Sequence, residues 1–516
     1  MELVPPLQGE FATLEQAIRA AGAQHGERDA FVEGSRRLSF AELDLASDGL
    51  AVGLATRGVH PGDVVAIMLP TCIDYAIAYA AITKAGAVAT GVNLRLGTVE
   101  ISAILALARP ALVIVDRVAC SYELPGDVLV LDRSELAELY EADAPDAQHS
   151  VRRADDPAVI IWTSGTTGVP KGAWFDHRNL QAAVVSAGVM SQPYDRKLVA
   201  TPFAHAGYMA KIWDQLAWGT TIVISPTPWS PAAMLQLLVD ERITVAGGVP
   251  TQWAKLLELP AVASADLSSL RLGLVATAPA SPELIQRVAT VIGCPLIVRY
   301  AMTESPSITG TEPDDSAQVQ CATVGRCQRG MEVLVVDTDG FAVAAGSVGR
   351  VRVRGACVMR GYWGAPDLSA AALADDGWLT SSDLGWLDSE HNLVLVGRTN
   401  DMYIRGGYNV YPLEVENLLA AHPQIAQVAI VGTPAPVIGE IGVAFVVALD
   451  ASSPPELGAL RTWIGTQLAD YKAPDRMVVL NALPLTSMLK IDKLELGRQA
   501  LATTDTRSRL NRNEQP

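Results

Sequence analysis

The chain has 516 residues, of which 49% are hydrophobic and 18% charged, a balance that excludes global disorder and fits a well-buried globular protein. At this length two or more domains are expected, because a single core stops growing well before this size. The formal net charge of −17 argues against a nucleic-acid partner or an anionic membrane surface, since no basic field would hold either.

The cysteine pattern and the N-terminus indicate the compartment. The six cysteines show no metal-ligand spacing, which is typical of reduced core residues in a cytosolic protein. Residues 1–11 lack a basic region followed by an apolar one, so no signal peptide is predicted. The most apolar helix candidate, Ile73 to Ala85, contains two charged residues and is too short to span a bilayer. We therefore expect a cytoplasmic protein without a membrane span.

Strand-like and helical stretches alternate along two parts of the chain. The first part extends from Leu38 to Asp116 and includes the apolar run Val64 to Pro70, and the second extends from Lys197 to Ile297. Such alternation predicts βαβ units around parallel sheets. Between the two parts, the polar segment Glu141 to Asp156 is expected to be a long surface loop.

An apolar run, Ala158 to Trp162, leads directly into the string TSGTTGVPKG at 163–172. The run has the length and β-branched content of a buried strand. Glycines allow positive φ and close backbone approach, hydroxyls and amides supply donors for phosphate oxygens, and Lys171 adds a charge. The residues expected to bind phosphate in this way are Thr163, Ser164, Gly165, Thr166, Thr167, Gly168 and Lys171. Gly172 is expected, like Gly165 and Gly168, to let the backbone turn with positive φ. A flexible linker is the alternative, but it would not explain Pro170 and Lys171 between two glycines after a buried strand. The spacing is not that of a Walker loop.

The sequence changes character twice in its C-terminal third. From Gly325 to Val396, short β-rich pieces separated by glycines predict a small β-barrel or sandwich. Beyond 397–401 the pattern becomes that of a compact α+β unit, with helices expected over Leu413 to Ala421 and Pro455 to Ala469. The predicted organisation is an N-terminal domain of residues 1–399, a hinge at 400–401, a C-terminal lid of 402–502 and a frayed polar tail of 503–516.

Eight segments in a fixed order resemble those of the adenylate-forming superfamily, which contains acyl-CoA synthetases, non-ribosomal peptide adenylation domains and beetle-type luciferases. After TSGTTGVPKG come TPFAHAG (201–207), VATAPAS (275–281), YAMTE (300–304), DGWLTSSDLG (376–385), GRTNDMYIRGGYNVYPLEVE (397–416), YKAP (471–474) and LPLTSMLKIDK (483–493). The resemblance implies an α/β fold. A large N-terminal domain of two βαβ-type sheets plus a small β-barrel would precede a small mobile α+β C-terminal domain. It also implies ATP/AMP, Mg²⁺ and coenzyme A as cofactors.

Residues of the N-terminal part acquire roles from this resemblance. His205 would lie at the mouth of the acyl pocket, although a lone histidine is more often a packed or surface residue. Amino-acid-activating relatives usually carry Phe-Asp where this chain has Phe203-Ala204, which points away from amino-acid substrates. Ala278 and Pro279 would border the adenine and acyl pockets.

YAMTE would contact the nucleotide. Tyr300 would stack on adenine with Ala301 beside it, and Thr303 would bond the α-phosphate. Glu304, together with Thr163, would ligate Mg²⁺, a hard cation that takes oxygen ligands. Taken alone, the Thr-Glu pair would also fit a helix N-cap with an acidic first turn.

Residues of the C-terminal part would complete the site. Asp383 would accept hydrogen bonds from both ribose hydroxyls, and Arg398 would add a ribose or phosphate contact. Asn400 would be the pivot. Gly406 and Gly407 would let the pantetheine arm of CoA pass close to the backbone, although a bare Gly-Gly is more often a tight turn.

Lys490 would be the catalytic lysine, an assignment that depends wholly on the resemblance. Two glycines of the family pattern are replaced, by Ser382 before Asp383 and by Leu489 before Lys490. Both replacements fall in motifs tied mainly to adenylation.

The first hypothesis for function is an acyl-CoA ligase that activates a hydrophobic carboxylic acid with Mg·ATP and transfers it to CoA. Its partners would be the acid and CoA, with a homodimer as the state common among relatives. The alternatives are an adenylating enzyme that loads a separate carrier protein or oxidises its acyl group, and a partial ligase or binding protein that has lost one half-reaction.

Overall fold

A computed structural model describes residues 4–126, 128–141, 152–163, 169–276, 282–486 and 490–512. The chain divides into two compact units, the first made of residues 1–333 and 352–380 and the second of residues 334–351 and 381–516. The domain boundary predicted at residue 399 and the hinge predicted at 400–401 concern a movement between domains, and they stay predictions. Among the described residues, no helix combines the length and the apolar character that crossing a membrane requires.

The strands of the described residues are numbered in chain order: β1 (Asp29–Glu33), β2 (Arg36–Ser39), β3 (Val64–Met68), β4 (Val88–Gly91), β5 (Leu112–Val115), β6 (Leu129–Asp132), β7 (Pro157–Thr163), β8 (Lys171–Asp176), β9 (Arg196–Val199), β10 (Thr221–Ile224), β11 (Val245–Gly248), β12 (Leu272–Ala276), β13 (Leu296–Met302), β14 (Ser305–Gly310), β15 (Arg326–Cys327), β16 (Met331–Val336), β17 (Gly349–Gly355), β18 (Gly361–Tyr362), β19 (Leu379–Leu387), β20 (Leu393–Arg398), β21 (Tyr403–Arg405), β22 (Tyr408–Val410), β23 (Ile425–Ala435), β24 (Gly439–Ala448) and β25 (Arg476–Val479).

The α-helices are α1 (Leu14–His25), α2 (Phe40–Thr56), α3 (Ile73–Lys84), α4 (Thr98–Ala108), α5 (Leu136–Tyr140), α6 (His177–Ser186), α7 (Ala206–Met209), α8 (Ile212–Trp218), α9 (Pro231–Asp240), α10 (Pro250–Leu257), α11 (Pro282–Arg287), α12 (Ala317–Ala322), α13 (Pro366–Ala372), α14 (Pro412–Ala420), α15 (Leu457–Gly465) and α16 (Lys493–Arg512).

The first unit contains a seven-stranded sheet in the order β18-β8-β7-β4-β3-β5-β6. The neighbours of β3, which are β4 and β5, both run parallel to it. Every residue of β3 is buried, which explains its continuous apolar sequence, because a central parallel strand is covered on both faces. The predicted βαβ units are confirmed here.

A nine-stranded sheet in the order β15-β14-β13-β12-β11-β9-β10-β1-β2 is the second large sheet of this unit. Its core packs around the fully buried Trp253 of α10. Strand β13 pairs in parallel with β12 and antiparallel with β14, so the chain turns back on itself between Met302 and Ser305.

Helix α3 is buried all round. Each of its twelve residues is buried, which a helix can sustain only when other elements cover every side. The predicted helix of Ile73 to Ala85 is confirmed within one residue. Its tyrosines Tyr75 and Tyr79 lie in an aromatic cluster with Phe203 and Tyr208, the last two stacked with ring centroids 3.8 Å apart.

The glycine-rich region predicted as a small β-domain forms a four-stranded sheet in the order β16-β17-β19-β20. In the second unit, a further sheet has the order β22-β21-β24-β23, and β25 pairs with β24. Successive residues of β23 enter two different cores. Val428 and Ile430 pack with α14 and α15, whereas Ala429 and Val431 pack with Leu496 of α16. Alternation of this kind is the mark of a strand covered on both faces.

Two details of the second unit differ from the sequence expectations. The helix predicted from Pro455 to Ala469 is shorter, Leu457–Gly465, because the consecutive prolines at 454 and 455 keep the chain extended before it. The tail predicted to fray is helical up to Arg512, since α16 starts on buried Leu496 and Ala500 and continues beyond them.

Candidate active site

The phosphate-loop strands are well defined, although several of the predicted site residues lie outside the described residues. Strands β7 and β8 form an antiparallel pair in which Thr163 lies opposite Lys171. The two ends of the TSGTTGVPKG loop are therefore held side by side at one edge of the seven-stranded sheet. The predictions that fall outside the described residues are Ser164, Gly165, Thr166, Thr167, Gly168, Ala278, Pro279 and Leu489.

Gly172 has a packing role rather than the turning role predicted for it. It lies within β8 and has no positive φ. A Cβ atom at this position would come within 2.8 Å of Ile160 Cγ2 and 3.0 Å of the Trp162 ring. Trp162 is fixed in turn, because its Nε1 donates to Thr90 Oγ1 at 2.7 Å. A glycine is needed here because β7 already fills the space.

Tyr362 connects two of the predicted site residues and was missed by sequence reasoning. Its hydroxyl donates to Glu304 Oε1 at 2.9 Å, while Lys171 Nζ lies 5.4 Å from the centroid of its ring. Burial, followed by the charge of Glu304, raises the pKa of Tyr362, so the hydroxyl keeps its proton at neutral pH. The cation, the phenol and the carboxylate thus form one continuous group.

The backbone around Tyr362 explains why it is so placed. Strand β18 pairs antiparallel with β8, with Tyr362 opposite Ala173, and the amide of Tyr362 donates to Ser369 Oγ at 2.8 Å. Trp363 N also donates to Gly172 O at 2.7 Å. A signal was present in the sequence, since Gly-Tyr-Trp at 361–363 is an apolar, aromatic tripeptide after a glycine-rich stretch. Nothing in its spacing connected it to Glu304.

Thr303 and Glu304 lie in the tight turn between β13 and β14. Met302 pairs with Ser305 across that turn, so the helix N-cap alternative for the Thr-Glu pair is wrong. Glu304 O accepts from Met359 N at 2.8 Å, which fixes the turn against the segment that leads to Tyr362. Tyr300 is buried in β13 and pairs with Thr309, whereas Ala301 is exposed.

His205 caps the start of the short helix α7 and contacts Asn93. Asn93 Nδ2 lies 3.1 Å from His205 Nε2, and Asn93 Oδ1 accepts from Arg95 N at 3.0 Å. With the amide nitrogen donating, Nε2 is the acceptor and the imidazole carries its proton on Nδ1. Sequence reasoning did not find the buried Asn93, because it follows β4 more than a hundred residues before His205.

In the second unit, Asp383 and Arg398 face each other on neighbouring strands. They are direct partners in the β19–β20 ladder, and Arg398 Nε donates to Asp383 Oδ1 at 3.0 Å. Asp383 is only 7% exposed, while the Arg398 side chain is 56% exposed. The predicted ribose ligand is therefore a buried carboxylate with a cation beside it. Ser382 has no positive φ, and its carbonyl accepts from Thr399 N at 2.8 Å, so the serine fits without strain.

Gly406 and Gly407 form the turn of the β21–β22 hairpin. Both have positive φ, 58° and 87°, and the flanking residues Arg405 and Tyr408 are ladder partners. A two-residue hairpin turn with both central φ values positive requires residues that tolerate this region, which explains the Gly-Gly sequence without any ligand. Asn400 lies in the exposed turn that follows β20. Its role as a pivot, and that of the glycines in CoA binding, stay predictions.

Lys490 is exposed, and its backbone is hydrogen-bonded to Thr486. Thr486 N donates to Lys490 O at 2.7 Å, and Lys490 N donates to Thr486 Oγ1 at 3.3 Å. Nearby Lys493 is engaged in the structure of its own unit, with Nζ 2.8 Å from Glu416 Oε1 and 3.8 Å from Asp401 Oδ2. Of the two lysines, Lys490 has the accessible position that a mobile catalytic group needs.

The donor set fits Mg²⁺ held together with nucleotide phosphates. Among the described residues no group of three or more metal-ligating side chains occurs. Glu304 supplies one carboxylate, and Mg²⁺ in nucleotide enzymes commonly uses one or two carboxylates plus phosphate oxygens and waters. Thr163 would add an oxygen at the edge where Lys171 lies. When bound, the ion would neutralise charge on the phosphates.

Comparison with known proteins decides the family. The family model described as AMP-binding enzyme matches residues 18–363, and that of the AMP-binding enzyme C-terminal domain matches residues 414–490. The chain belongs to the AMP-binding enzyme family. Within this adenylate-forming superfamily its relatives are acyl-CoA ligases and synthetases, so the protein is an AMP-forming acid–thiol ligase by membership.

Three relatives of this AMP-binding enzyme cover nearly its whole length. A feruloyl-CoA synthase of an Amycolatopsis species is 34% identical over 90% of this chain and 94% of its own. The long-chain-fatty-acid–CoA ligase FadD13 of Mycobacterium tuberculosis is 30% identical over 92% of this chain and 96% of its own. The structure of o-succinylbenzoate CoA synthetase from Bacillus subtilis, in complex with its acyl-adenylate, superposes with a TM-score of 0.82 at 28% identity, covering 94% of this chain and 97% of that one.

Proposed function

We propose that this ligase activates a hydrophobic carboxylic acid with Mg·ATP as an acyl-adenylate and then transfers the acyl group to CoA. The observation that carries the proposal is the continuous Lys171–Tyr362–Glu304 group at the mouth of the phosphate-loop hairpin. A cation, a phenolic donor and a carboxylate lie there on three different strands or turns. That arrangement suits a triphosphate, whose charge must be both neutralised and held in position.

In the first half-reaction, a carboxylate oxygen attacks the α-phosphorus of ATP, and the bond to pyrophosphate breaks. Lys171 and the loop amides hold the phosphates, while Thr303 donates to the α-phosphate and Tyr362 keeps Glu304 in one orientation. Asp383 accepts from the ribose hydroxyls with Arg398 beside it. Lys490 supplies charge to the incoming carboxylate and the α-phosphate. Positioning and charge neutralisation account for most catalysis of this kind.

In the second half-reaction, the CoA thiol attacks the acyl carbonyl and AMP leaves. AMP is a far better leaving group than the oxide of a free carboxylate, which is why the adenylate is formed first. We place the pivot for the change between the two steps at Asn400, with Lys490 withdrawing and the Gly406-Gly407 turn taking part in thiol binding. One site would then serve two reactions in turn.

The hydrophobic class of the acid is supported by composition around His205 and by the relatives' names. Phe203 and Ala204 are buried and bring no carboxylate that could hold a substrate amine. The relatives are named for ferulate, long-chain fatty acids and o-succinylbenzoate, all acids with a sizeable apolar part.

The partial-ligase alternative rests on Ser382 and Leu489. The unstrained backbone of Ser382 removes one of its two supports. Leu489 lies outside the described residues, so its effect is a matter for experiment. Pyrophosphate exchange measured in wild type and in Leu489→Gly distinguishes a full ligase from a partial ligase. Brisk exchange that the substitution does not change supports a full ligase, and slow exchange that the glycine restores supports the partial ligase.

The proposed function is tested by a screen of carboxylic acids for CoA-dependent AMP release. A full ligase releases AMP and pyrophosphate and yields an acyl-CoA. A carrier-loading enzyme releases pyrophosphate but needs the carrier for turnover. Absence of AMP release and of pyrophosphate exchange with every class of acid would overturn the proposal.

A further inference from the structure

A cavity of about 460 Å³ lies in the first unit. Its wall is formed by the segment 5–11 before α1, by helices α6 and α8, and by the residues 329–330 and 356–357. None of the described residues of this wall has a role in the proposed reaction. Small-molecule sites in proteins have volumes of roughly 300–1,000 Å³, so the cavity is large enough for an organic ligand.

The floor of the cavity is apolar. It is lined by Leu7, Trp213, Ala217 and Cys357, each of which is buried. Leu7 is held there because its amide donates to Ala217 O at 3.1 Å. On α6, Val185 also lines the cavity and is 50% exposed. An apolar ligand that covers this surface is stabilised in proportion to the apolar area that it removes from water.

One side of the cavity is a turn of the segment 5–11. Gly9 has a φ of 139°, and a Cβ atom there would lie 2.7 Å from the ring of Phe11. The glycine therefore allows Phe11 to fold back and line the cavity. Gln181 Nε2 of α6 donates to Phe11 O at 3.5 Å, so the turn and the helix meet at the cavity edge.

The charged groups of the wall are cations. The lining residues that the structure describes include Arg178 and Arg329, and neither an aspartate nor a glutamate. Both arginines are exposed to solvent. Asp155 Oδ2 lies 3.8 Å from Arg178 Nη2, which is beyond hydrogen-bond distance. In a chain with a net charge of −17, an apolar floor beside two cations is complementary to an anion with an apolar body.

The cavity and the catalytic group lie at opposite ends of the β8–β18 pair. Because β18 runs antiparallel to β8, the chain approaches Lys171 as residue numbers rise through β18. Tyr362 lies at that end, with its ring centroid 5.4 Å from Lys171 Nζ. The residues 356–357 enter from the other end, where Asn179 Nδ2 of α6 donates to Ala356 O at 2.8 Å. A ligand in the cavity would therefore leave the nucleotide site open.

We propose that this cavity is a second binding site, which takes a carboxylate with an aliphatic or aromatic tail. The carboxylate accepts hydrogen bonds from Arg178 and Arg329 at the exposed side, and the tail lies against the apolar floor. Arginine suits this role, because its planar guanidinium matches a carboxylate with two parallel hydrogen bonds. The inference goes beyond the proposed function and does not rest on it, since no step of the reaction passes through the cavity.

The test counts bound ligand by equilibrium dialysis with radiolabelled decanoate. Wild type should bind one equivalent more than Val185→Trp, whose larger side chain fills the cavity. This difference is expected whether or not the active site also binds decanoate. Val291→Trp, at a position that is 48% exposed and outside the cavity, should bind as many equivalents as wild type.

Charge selection is tested with a double variant and with uncharged and cationic probes. Replacing both arginines, Arg178→Met with Arg329→Met, should weaken binding of the extra equivalent by about tenfold or more, because hydrogen bonds to a charged group are lost. Decanol and decylammonium should bind wild type at this site at least as weakly as decanoate binds the double variant. Arg287→Met, which removes an exposed arginine outside the cavity, should not change decanoate binding.

Thermal unfolding of each variant shows which of them are folded, and the double variant decides if Val185→Trp is not. Equal numbers of bound equivalents in wild type and in the folded cavity variants would overturn the proposal. Binding of decanol as tight as that of decanoate would overturn it as well. AMP release without the extra equivalent would contradict only this inference. Absence of AMP release with every acid would contradict the proposed function and leave the count of equivalents unchanged.

Discussion

The hydroxyl of Tyr362 donates to the carboxylate of Glu304 at 2.9 Å, across two segments that are 58 residues apart in sequence. Because its raised pKa keeps the phenol protonated, Tyr362 acts as a fixed donor rather than as a titrating group. The carboxylate expected to ligate Mg²⁺ is thus held in one orientation before the nucleotide binds. A hydrogen bond from a neighbouring side chain orients a metal-ligating carboxylate, so less side-chain freedom has to be lost when the metal binds.

We predict that Tyr362→Phe slows acyl-adenylate formation while leaving the fold intact. A hydrogen bond to a charged group contributes about 1.5–3 kcal/mol, so the loss corresponds to roughly a 10- to 100-fold fall in rate at limiting Mg²⁺. Pyrophosphate exchange measured over a Mg²⁺ series checks this, and part of the activity should return at high Mg²⁺.

Tyr122→Phe is the matched control, because it removes a phenol whose hydrogen bond with Ser102 is exposed. Equal rates for Tyr362→Phe and wild type at low Mg²⁺ would show that Glu304 needs no such support.

Asp383→Ala is expected to raise the KM for ATP. The carboxylate is buried with Arg398 beside it, and its removal eliminates the acceptor proposed for two ribose hydroxyls. One lost charged hydrogen bond corresponds to about 10- to 100-fold in affinity. The exposed Asp339→Asn serves as control, and ATP binding followed by calorimetry is the measurement. Unchanged affinity in Asp383→Ala would remove this residue from the nucleotide site.

The fold was predictable wherever a local pattern determines an element. The apolar run of β3 and the helix α3 follow from burial and period, and both are as predicted. Errors arose where tertiary contact overrides composition. Gly172 belongs to a string that looks like a loop, yet it lies in strand β8. It is a glycine because the Trp162 ring occupies the space that a side chain would need. The polar tail after 503 looked frayed, but the helix α16, which begins on a packed face, continues into it as far as Arg512.

Site residues could be predicted where they stand together in one sequence motif. They could not be predicted where they contact partners that are far away in the sequence. Thr303 and Glu304 stand together in sequence, so the resemblance was sufficient to select them. Tyr362 and Asn93 were missed, since each belongs to the seven-stranded sheet or its connections and meets a partner that follows a strand of the nine-stranded sheet.

His177 should make stability depend on pH in the acidic range. Burial, followed by the charge of Arg152, lowers its pKa to about 4 from an ordinary value of 6.5, and its Nδ1 accepts from Leu14 N at 3.1 Å. The neutral form is therefore favoured in the folded state. Its stabilisation is fully present above pH 6.5 and is lost as pH falls towards about 4. The shift corresponds to on the order of 3 kcal/mol.

Urea unfolding of wild type and His177→Gln between pH 4 and 7 isolates this contribution from that of the carboxylates. The glutamine carbonyl can still accept from Leu14, so the variant should lose less stability on acidification than wild type. His60→Gln, at an exposed position, should keep the wild-type pH dependence. Parallel pH profiles for His177→Gln and wild type would contradict the assignment.

Lys490→Ala should separate the two half-reactions. Its exposed position beside Thr486 suits a group that acts in one conformation and withdraws in the other. Removing its charge should reduce pyrophosphate exchange by two orders of magnitude or more, since about 3 kcal/mol of charge stabilisation would be lost. Transfer of a synthetic acyl-adenylate to CoA should be nearly normal, because the lysine no longer takes part in that step.

Lys255→Ala, at an exposed position on α10, controls for loss of surface charge and should affect neither reaction. If Lys490→Ala slows both half-reactions equally, one fixed arrangement of residues serves both steps, and the proposed movement about Asn400 is wrong.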